Sequence, residues 1–352
     1  MHTSPSPAQD TYLALPKVEL HRHLEGSIRL STMLDVAQAY NLELPTDATA
    51  LSRLVQVQSD DPITADSFLS KFLSIRKLFC APEVIERIMF EAVEDAAKDN
   101  VRYMELRFTP VALGRLKQYA LSDVMDWACE AIRQASVKYG INVKLIASTN
   151  RHEAVELAEQ VASLAADRRH KGIVGIDLAG AEGKFSAQPF LPLFQEARQS
   201  GLKVALHAGE WSGPANVREA IEQFGALRIG HGVRTLEDEA VVQVARDRGT
   251  TFEVCVTSNY QTGVCRSIAE HPFKRMLEQG LKVTLNTDDP SLSQITLTDE
   301  YRAAVEQLEL KPERLNDCIL TAAHAAFLPD AEKVELVAAL KVELDLMHGR
   351  AG

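Results

Sequence analysis

The sequence predicts an α/β fold of the (β/α)8 TIM barrel type, with extra helices after the first strand and at the C-terminus. Three observations predict it. Eight short, apolar, β-branched runs recur along the chain, helical patterns separate them, and 352 residues suit one barrel with insertions. The runs begin near Lys17 (KVELH), Val101 (VRYMELRF), Asn142 (NVKLIAS), Ile173 (IVGIDL), Leu202 (LKVALH), Arg228 (RIGHG), Thr251 (TFEVC) and Lys282 (KVTLN). Several are almost wholly apolar, as parallel strands covered by helices are. A doubly wound open sheet is the competitor, but no GxGxxG turn follows the first run.

The segments between the runs carry helical stripes. In Pro214 to Phe224, Val217, Ala220, Ile221 and Phe224 fall at i, i+3, i+4 and i+7, with Pro214 suited to the first turn and Gly225 to the stop. Leu236 to Arg248 is expected as a helix with Thr235 as its N-cap. Pro82 to Asp99 and Ser122 to Tyr139 show similar stripes. The chain 1–352 thus reads as one catalytic barrel. Residues 24–100 are expected to form a helical insertion, or lid, after the first strand. Thr296 onward is expected to be helical and to pack outside the barrel. Residues 1–12, rich in Ser and Pro, are expected to be a disordered tail.

Composition narrows the function classes. Apolar residues at 46% and charged residues at 25% are ordinary for a globular protein. The net charge of −11 argues against nucleic acid and anionic membranes as partners. No apolar run approaches the length of a membrane span, and Met1 to Pro16 lacks a signal-peptide pattern. The five cysteines never occur as CxxC and read as scattered thiols in a reducing compartment, the cytoplasm.

Chemistry-bearing residues gather where the apolar runs stop. The first ends His21-Arg22-His23, and residues i and i+2 of a strand share a face. The fifth ends His207-Ala208-Gly209-Glu210, the sixth Gly230-His231-Gly232, and the last Asn286-Thr287-Asp288-Asp289-Pro290. In a barrel these ends converge on the C-terminal mouth, where active sites lie. His21, His23, His207 and one of the two aspartates suit a zinc ion with a position left for water. Such an ion brings the water's pKa to about 7. Glu210 can then carry protons, while His231 and the second aspartate orient water or leaving group. Each element alone has a plainer reading: surface histidines, a core histidine, a helix-start carboxylate, a turn. The remaining histidines, among them His152 and His271, read as structural or solvated.

Together these residues resemble the adenosine deaminase family of zinc-dependent barrel hydrolases. The matching segments are LPKVELHRHLEGSI, MELRFTP, GIDLAG, LHAGE, RIGHGVRTLED, TSN and LNTDDP, in family order between Leu15 and Leu328. The resemblance implies one zinc held by His21, His23, His207 and Asp288. It implies Glu210 as proton donor to purine N1, His231 as the group that positions the attacking hydroxide, and Asp289 as partner of that hydroxide and of N7. It implies that the backbone N–H of Gly180 donates to N3, and it places Glu25 and His23 at the substrate. The expected reaction converts adenosine or 2′-deoxyadenosine to inosine and ammonia, so the expected partner is a small purine nucleoside. One departure bears on the substrate. Glu25 stands where the family typically has Asp, the residue that holds the 5′-hydroxyl, and Glu is more typical of its adenine deaminase branch. RIGHG, TSNYQTG and ITLTDEY resemble the adenosine branch. Adenine, an N6-methylated adenine nucleotide or a futalosine-type nucleoside is the alternative. A silent binding barrel is remote, since no ligand is missing.

Overall fold

The computed structural model describes residues 10–349. Eight strands form one sheet in sequence order: β1 (Lys17–His23), β2 (Val101–Phe108), β3 (Asn142–Asn150), β4 (Ile173–Ala179), β5 (Lys203–Ala208), β6 (Arg228–His231), β7 (Thr251–Val254) and β8 (Lys282–Leu285). Every neighbouring pair is parallel. Just past β8, Asp288 closes the ring onto β1: its N–H donates to the carbonyl of His21 at 2.9 Å, and its carbonyl accepts from the His23 N–H at 2.7 Å. The barrel is therefore sealed by residues expected to hold metal.

The strands are less apolar inside than their composition indicates. Arg107 on β2 pairs with Glu253 on β7 and reaches Asp177 on β4 at 3.5 Å, while Arg228 on β6 pairs with Glu105 on β2. These strands are not adjacent, so the pairs must cross the barrel interior. All five side chains are buried. Charges removed from water in this way persist only when each finds an opposite charge. Valines, leucines and isoleucines of the same strands pack outward against the helices.

The insertion after β1 holds helices Leu30–Ala39, Ala48–Val55, Ala65–Ser70 and Phe72–Ile75, then a short turn of helix Arg76–Leu78. Helix Pro82–Lys98 follows and packs on helix Leu121–Tyr139 and on β2, so it belongs to the barrel's outer ring. After β8 come Leu297–Glu306, Glu313–Ala325 and Asp330–Gly349; the second lies against β8 and β1. Among the described residues no helix is long and apolar enough to cross a membrane.

Two local expectations are corrected. The helix expected from Leu236 begins instead at Glu239, and its N-cap is Asp238, whose carboxylate accepts the Ala240 N–H at 2.9 Å. Thr235 sits in the preceding turn and donates its hydroxyl to the Gly232 carbonyl at 2.6 Å. A carboxylate at the helix start also meets the favourable end of the dipole, which a hydroxyl does not exploit. The tail expected over residues 1–12 is shorter, because Thr11–Ala14 is a helical turn capped by Asp10, which pairs with Arg302 at 2.5 Å. Residues 1–9 of that tail lie outside the described residues.

Candidate active site

β1 delivers His21 and His23 to one face, and β5 and the end of β8 bring His207 and Asp288 opposite them. The Nε2 atoms of His21 and His23 are 3.2 Å apart, and those of His23 and His207 3.4 Å. Asp288 Oδ1 lies 3.4 Å from the Nε2 of both His21 and His23. Four donors at zinc bond lengths around a tetrahedral centre would stand about 3.3 Å apart. The tautomers agree with this. His21 Nδ1 lies 3.0 Å from Glu253 and His207 Nδ1 3.0 Å from Asp177, both carboxylates held ionised inside the barrel. Each imidazole therefore gives its Nδ1–H to a carboxylate and turns an Nε2 lone pair inward. Lone pairs and a carboxylate at these separations repel one another unless a cation lies among them, so the donor set fits a divalent ion.

Electrostatics support the assignment. Burial opposes ionisation of Asp288, but His21 and the other imidazoles around it hold its carboxyl well below the usual range. Ser258 donates its hydroxyl to Asp288 Oδ2 at 2.7 Å. Burial lowers His23 to about 3, leaving it neutral and able to bind metal. His231 and Asp288 both adopt left-handed backbone, φ 60° and 62°. Such conformations are strained for non-glycine residues and concentrate at functional sites.

Glu210 lies beyond β5 in a loop held by one carboxylate. Glu182 accepts the backbone N–H groups of Gly209, Glu210, Trp211 and Ser212 at 2.7 to 3.1 Å and the Asn216 amide at 3.0 Å. Burial, then the charges of Asp288, Glu182 and Asp289, push Glu210 well above the usual carboxyl range. Both effects favour the protonated carboxyl. Burial and the neighbouring Asp288 raise Asp289 as well.

His231 Nε2 is 3.6 Å from Glu210 and 3.9 Å from Asp288. Its tautomer follows from a relay. The Phe273 N–H donates to His271 Nδ1 at 3.1 Å, so His271 carries its proton on Nε2 and donates to Asn259 Oδ1 at 3.2 Å. Asn259 Nδ2 then donates to His231 Nδ1 at 3.1 Å. His231, kept neutral by burial, presents an Nε2–H donor to the site.

A cavity opens over these groups, lined by His23, Glu210, His231 and Asp289 below and by Phe68 and Phe72 of the insertion above. Gly180, at φ 91°, lies in its wall, where a β-carbon would come within 3.4 Å of three atoms of residues 150–152. Glu25 accepts the Thr109 N–H at 2.8 Å through one oxygen. Its other oxygen, Asp289 Oδ1 and Trp211 Nε1 are buried lining atoms without a protein partner among the described residues. Buried polar atoms normally find a partner, which makes these three candidates for contact with a ligand.

The model of the family described as adenosine deaminase matches residues 16–342. The chain belongs to the adenosine deaminase family. It is 36% identical over 328 residues to the adenosine deaminase of Klebsiella pneumoniae, covering 92% of this chain and 97% of that protein. Among solved structures, an adenine deaminase from Arthrobacter aurescens superposes with a TM-score of 0.86 at 26% identity, over 94% of this chain and 99% of that one. The Arabidopsis N6-mAMP deaminase superposes with a TM-score of 0.83 at 30% identity, again over 94% and 99%.

As a member of the adenosine deaminase family the chain is a metal-dependent deaminating hydrolase. The structure brings all the residues singled out in the sequence, namely His21, His23, Glu25, Gly180, His207, Glu210, His231, Asp288 and Asp289, to the mouth of one barrel. Sequence reasoning missed the groups behind them: Asp177, Glu253, Glu182, Asn259 and His271. Asp177 and Glu253 had a faint signal, a charge inside an otherwise apolar strand. Glu182, in a glycine-flanked loop, looks like any exposed loop acid, and His271 was read as merely structural.

Proposed function

We propose that this enzyme removes the 6-amino group of a purine nucleoside by hydrolysis, using zinc, with adenosine and 2′-deoxyadenosine as the reference substrates and inosine and ammonia as products. The observation that carries it is the pairing of a four-donor metal cluster with a buried carboxyl, Glu210, which burial and the charge of Asp288 push toward its protonated form. His21, His23, His207 and Asp288 would hold the ion, which when bound activates water at neutral pH. Glu210 donates its proton to N1 as electrons move onto the ring during addition at C6. His231, donating from Nε2, orients the attacking oxygen. Asp289, with an unpaired buried Oδ1, stands ready for a polar edge of the purine. The Gly180 backbone would meet N3, and Glu25 the sugar side. Phe68 and Phe72 line the same cavity and would give the substrate an apolar wall that limits its contact with water.

The 30% identity to an N6-mAMP deaminase favours a second reading in which the substrate is an N6-methylated adenine nucleotide, and the glutamate at position 25 favours one in which it is adenine. Metal analysis together with a panel of 6-aminopurines tests both. About one zinc per chain and ammonia release from the panel are expected. Absence of metal and of turnover on every member would refute the proposal.

A further inference from the structure

His271 lies behind the cavity and lines no part of it, yet the direction of one hydrogen bond in the site depends on it. It is buried, as are Asn259 and His231, which lead from it to the cavity. The order of donors starts from the backbone. Phe273 opens helix Phe273–Glu278 directly after Pro272, so its N–H has no partner within the helix and can only donate. His271 Nδ1 accepts it at 3.1 Å, which leaves the imidazole proton on Nε2. That proton goes to Asn259 Oδ1 at 3.2 Å, so the amide N–H₂ is the end that faces His231 Nδ1, at 3.1 Å.

Without His271 nothing on this path selects that orientation. The two ends of an asparagine amide are nearly the same size, and Oδ1 turned toward His231 would accept an Nδ1–H equally well. His231 would then carry its proton on Nδ1 and turn a bare Nε2 toward Glu210 and Asp288. His271 removes this choice, because the reversed amide would set N–H against N–H. The rest of the segment is already fixed: Asn259 shares helix Val256–Gln261 with Ser258, whose hydroxyl binds Asp288.

We propose that His271 is a positioning residue of the reaction: through Asn259 it fixes the tautomer of His231 and so makes that imidazole a hydrogen-bond donor to the attacking oxygen. The assignment rests on the deaminase function proposed above, in which His231 orients that oxygen.

Two variants and a spectroscopic signature test it. His271→Gln keeps an amide that can donate to Asn259, whereas His271→Leu supplies apolar bulk and no donor. Losing one donor to the developing charge outright costs about 10²–10³-fold, and a freely turning amide still spends part of its time in the productive orientation. His271→Leu should therefore lower kcat by about 10–100-fold, with KM and metal content near wild type, and His271→Gln should recover most of the loss. Nitrogen NMR of the metal-loaded, histidine-labelled enzyme should show His231 protonated on Nε2 in the wild type and in His271→Gln, and on Nδ1 in part of the His271→Leu population. A wild-type His231 protonated on Nδ1 overturns the inference even if neither variant folds. So does an unchanged kcat in His271→Leu, or a loss as large in His271→Gln, which would mark a packing role alone. Absence of turnover on every 6-aminopurine would refute the deaminase function, while the spectrum would still decide whether the relay sets the tautomer.

Discussion

Replacing Glu182 by glutamine should misplace Glu210 and also make it a stronger acid. Glu182 is buried, and its two oxygens accept five N–H bonds, four of them from the backbone of Gly209 to Ser212. Oε1 takes two of the five and Oε2 three. A glutamine keeps one acceptor oxygen, so at least two bonds to a charged acceptor are lost and an amide N–H₂ faces N–H donors. At about 1.5–3 kcal/mol for each such bond, the loop loses on the order of 3–6 kcal/mol of local support. A proton donor displaced by about 1 Å costs on the order of 10²-fold in rate. The charge effect has a definite sign. Glu182 is one of the charges, after burial and Asp288, that raise Glu210. The reaction uses protonated Glu210, so activity is present below its pKa and lost as pH rises through it. Removing the Glu182 charge lowers that pKa and moves the alkaline limb of kcat to lower pH. The assay is a pH profile of kcat with metal content measured in parallel, which should stay at the wild-type level. A wild-type kcat with an unmoved alkaline limb would refute the claim that Glu182 holds and tunes Glu210.

Three further outcomes are expected. Glu210→Gln should bind metal as the wild type does yet lose about 10²–10⁴-fold in kcat, checked by metal analysis and steady-state kinetics; full activity would exclude the proton-donor role. Asp177→Asn leaves His207 without its carboxylate partner and should weaken metal binding by about 10–100-fold, read by competition with a chelator. Glu300 is buried and accepts the N–H groups of Val256 and Thr257, and burial raises its carboxyl from 4.5 to about 7. Because the folded pKa lies above the unfolded one, stability should fall as pH rises from about 4.5 through about 7, by on the order of 3 kcal/mol. Denaturant titrations across that window should show the slope in the wild type and a flatter one in Glu300→Gln.

Much of the fold could be read from the linear order of residues. Strand and helix periods are local properties, so the eight strands begin where β-branched, apolar runs begin, and the order of His21, His23, His207 and Asp288 at their ends marks one mouth. The cap at Asp238 was missed because Thr235 and Asp238 are both competent caps. The choice between them depends on where the chain leaves β6, and the left-handed turn at Gly232 sets that exit.

The sequence by itself determined the donor types, their order and the barrel that gathers them, since side-chain chemistry and backbone period are written residue by residue. Only the tertiary structure decided their ionisation and tautomers. Glu210 is pushed toward its protonated form because it is buried beside Asp288, Glu182 and Asp289 from distant segments. His231 is an Nε2–H donor because a relay from Phe273 through His271 and Asn259 fixes its other nitrogen. Proton affinity and hydrogen-bond direction depend on what lies within a few ångströms in space, and for these groups the neighbours come from segments far apart along the chain.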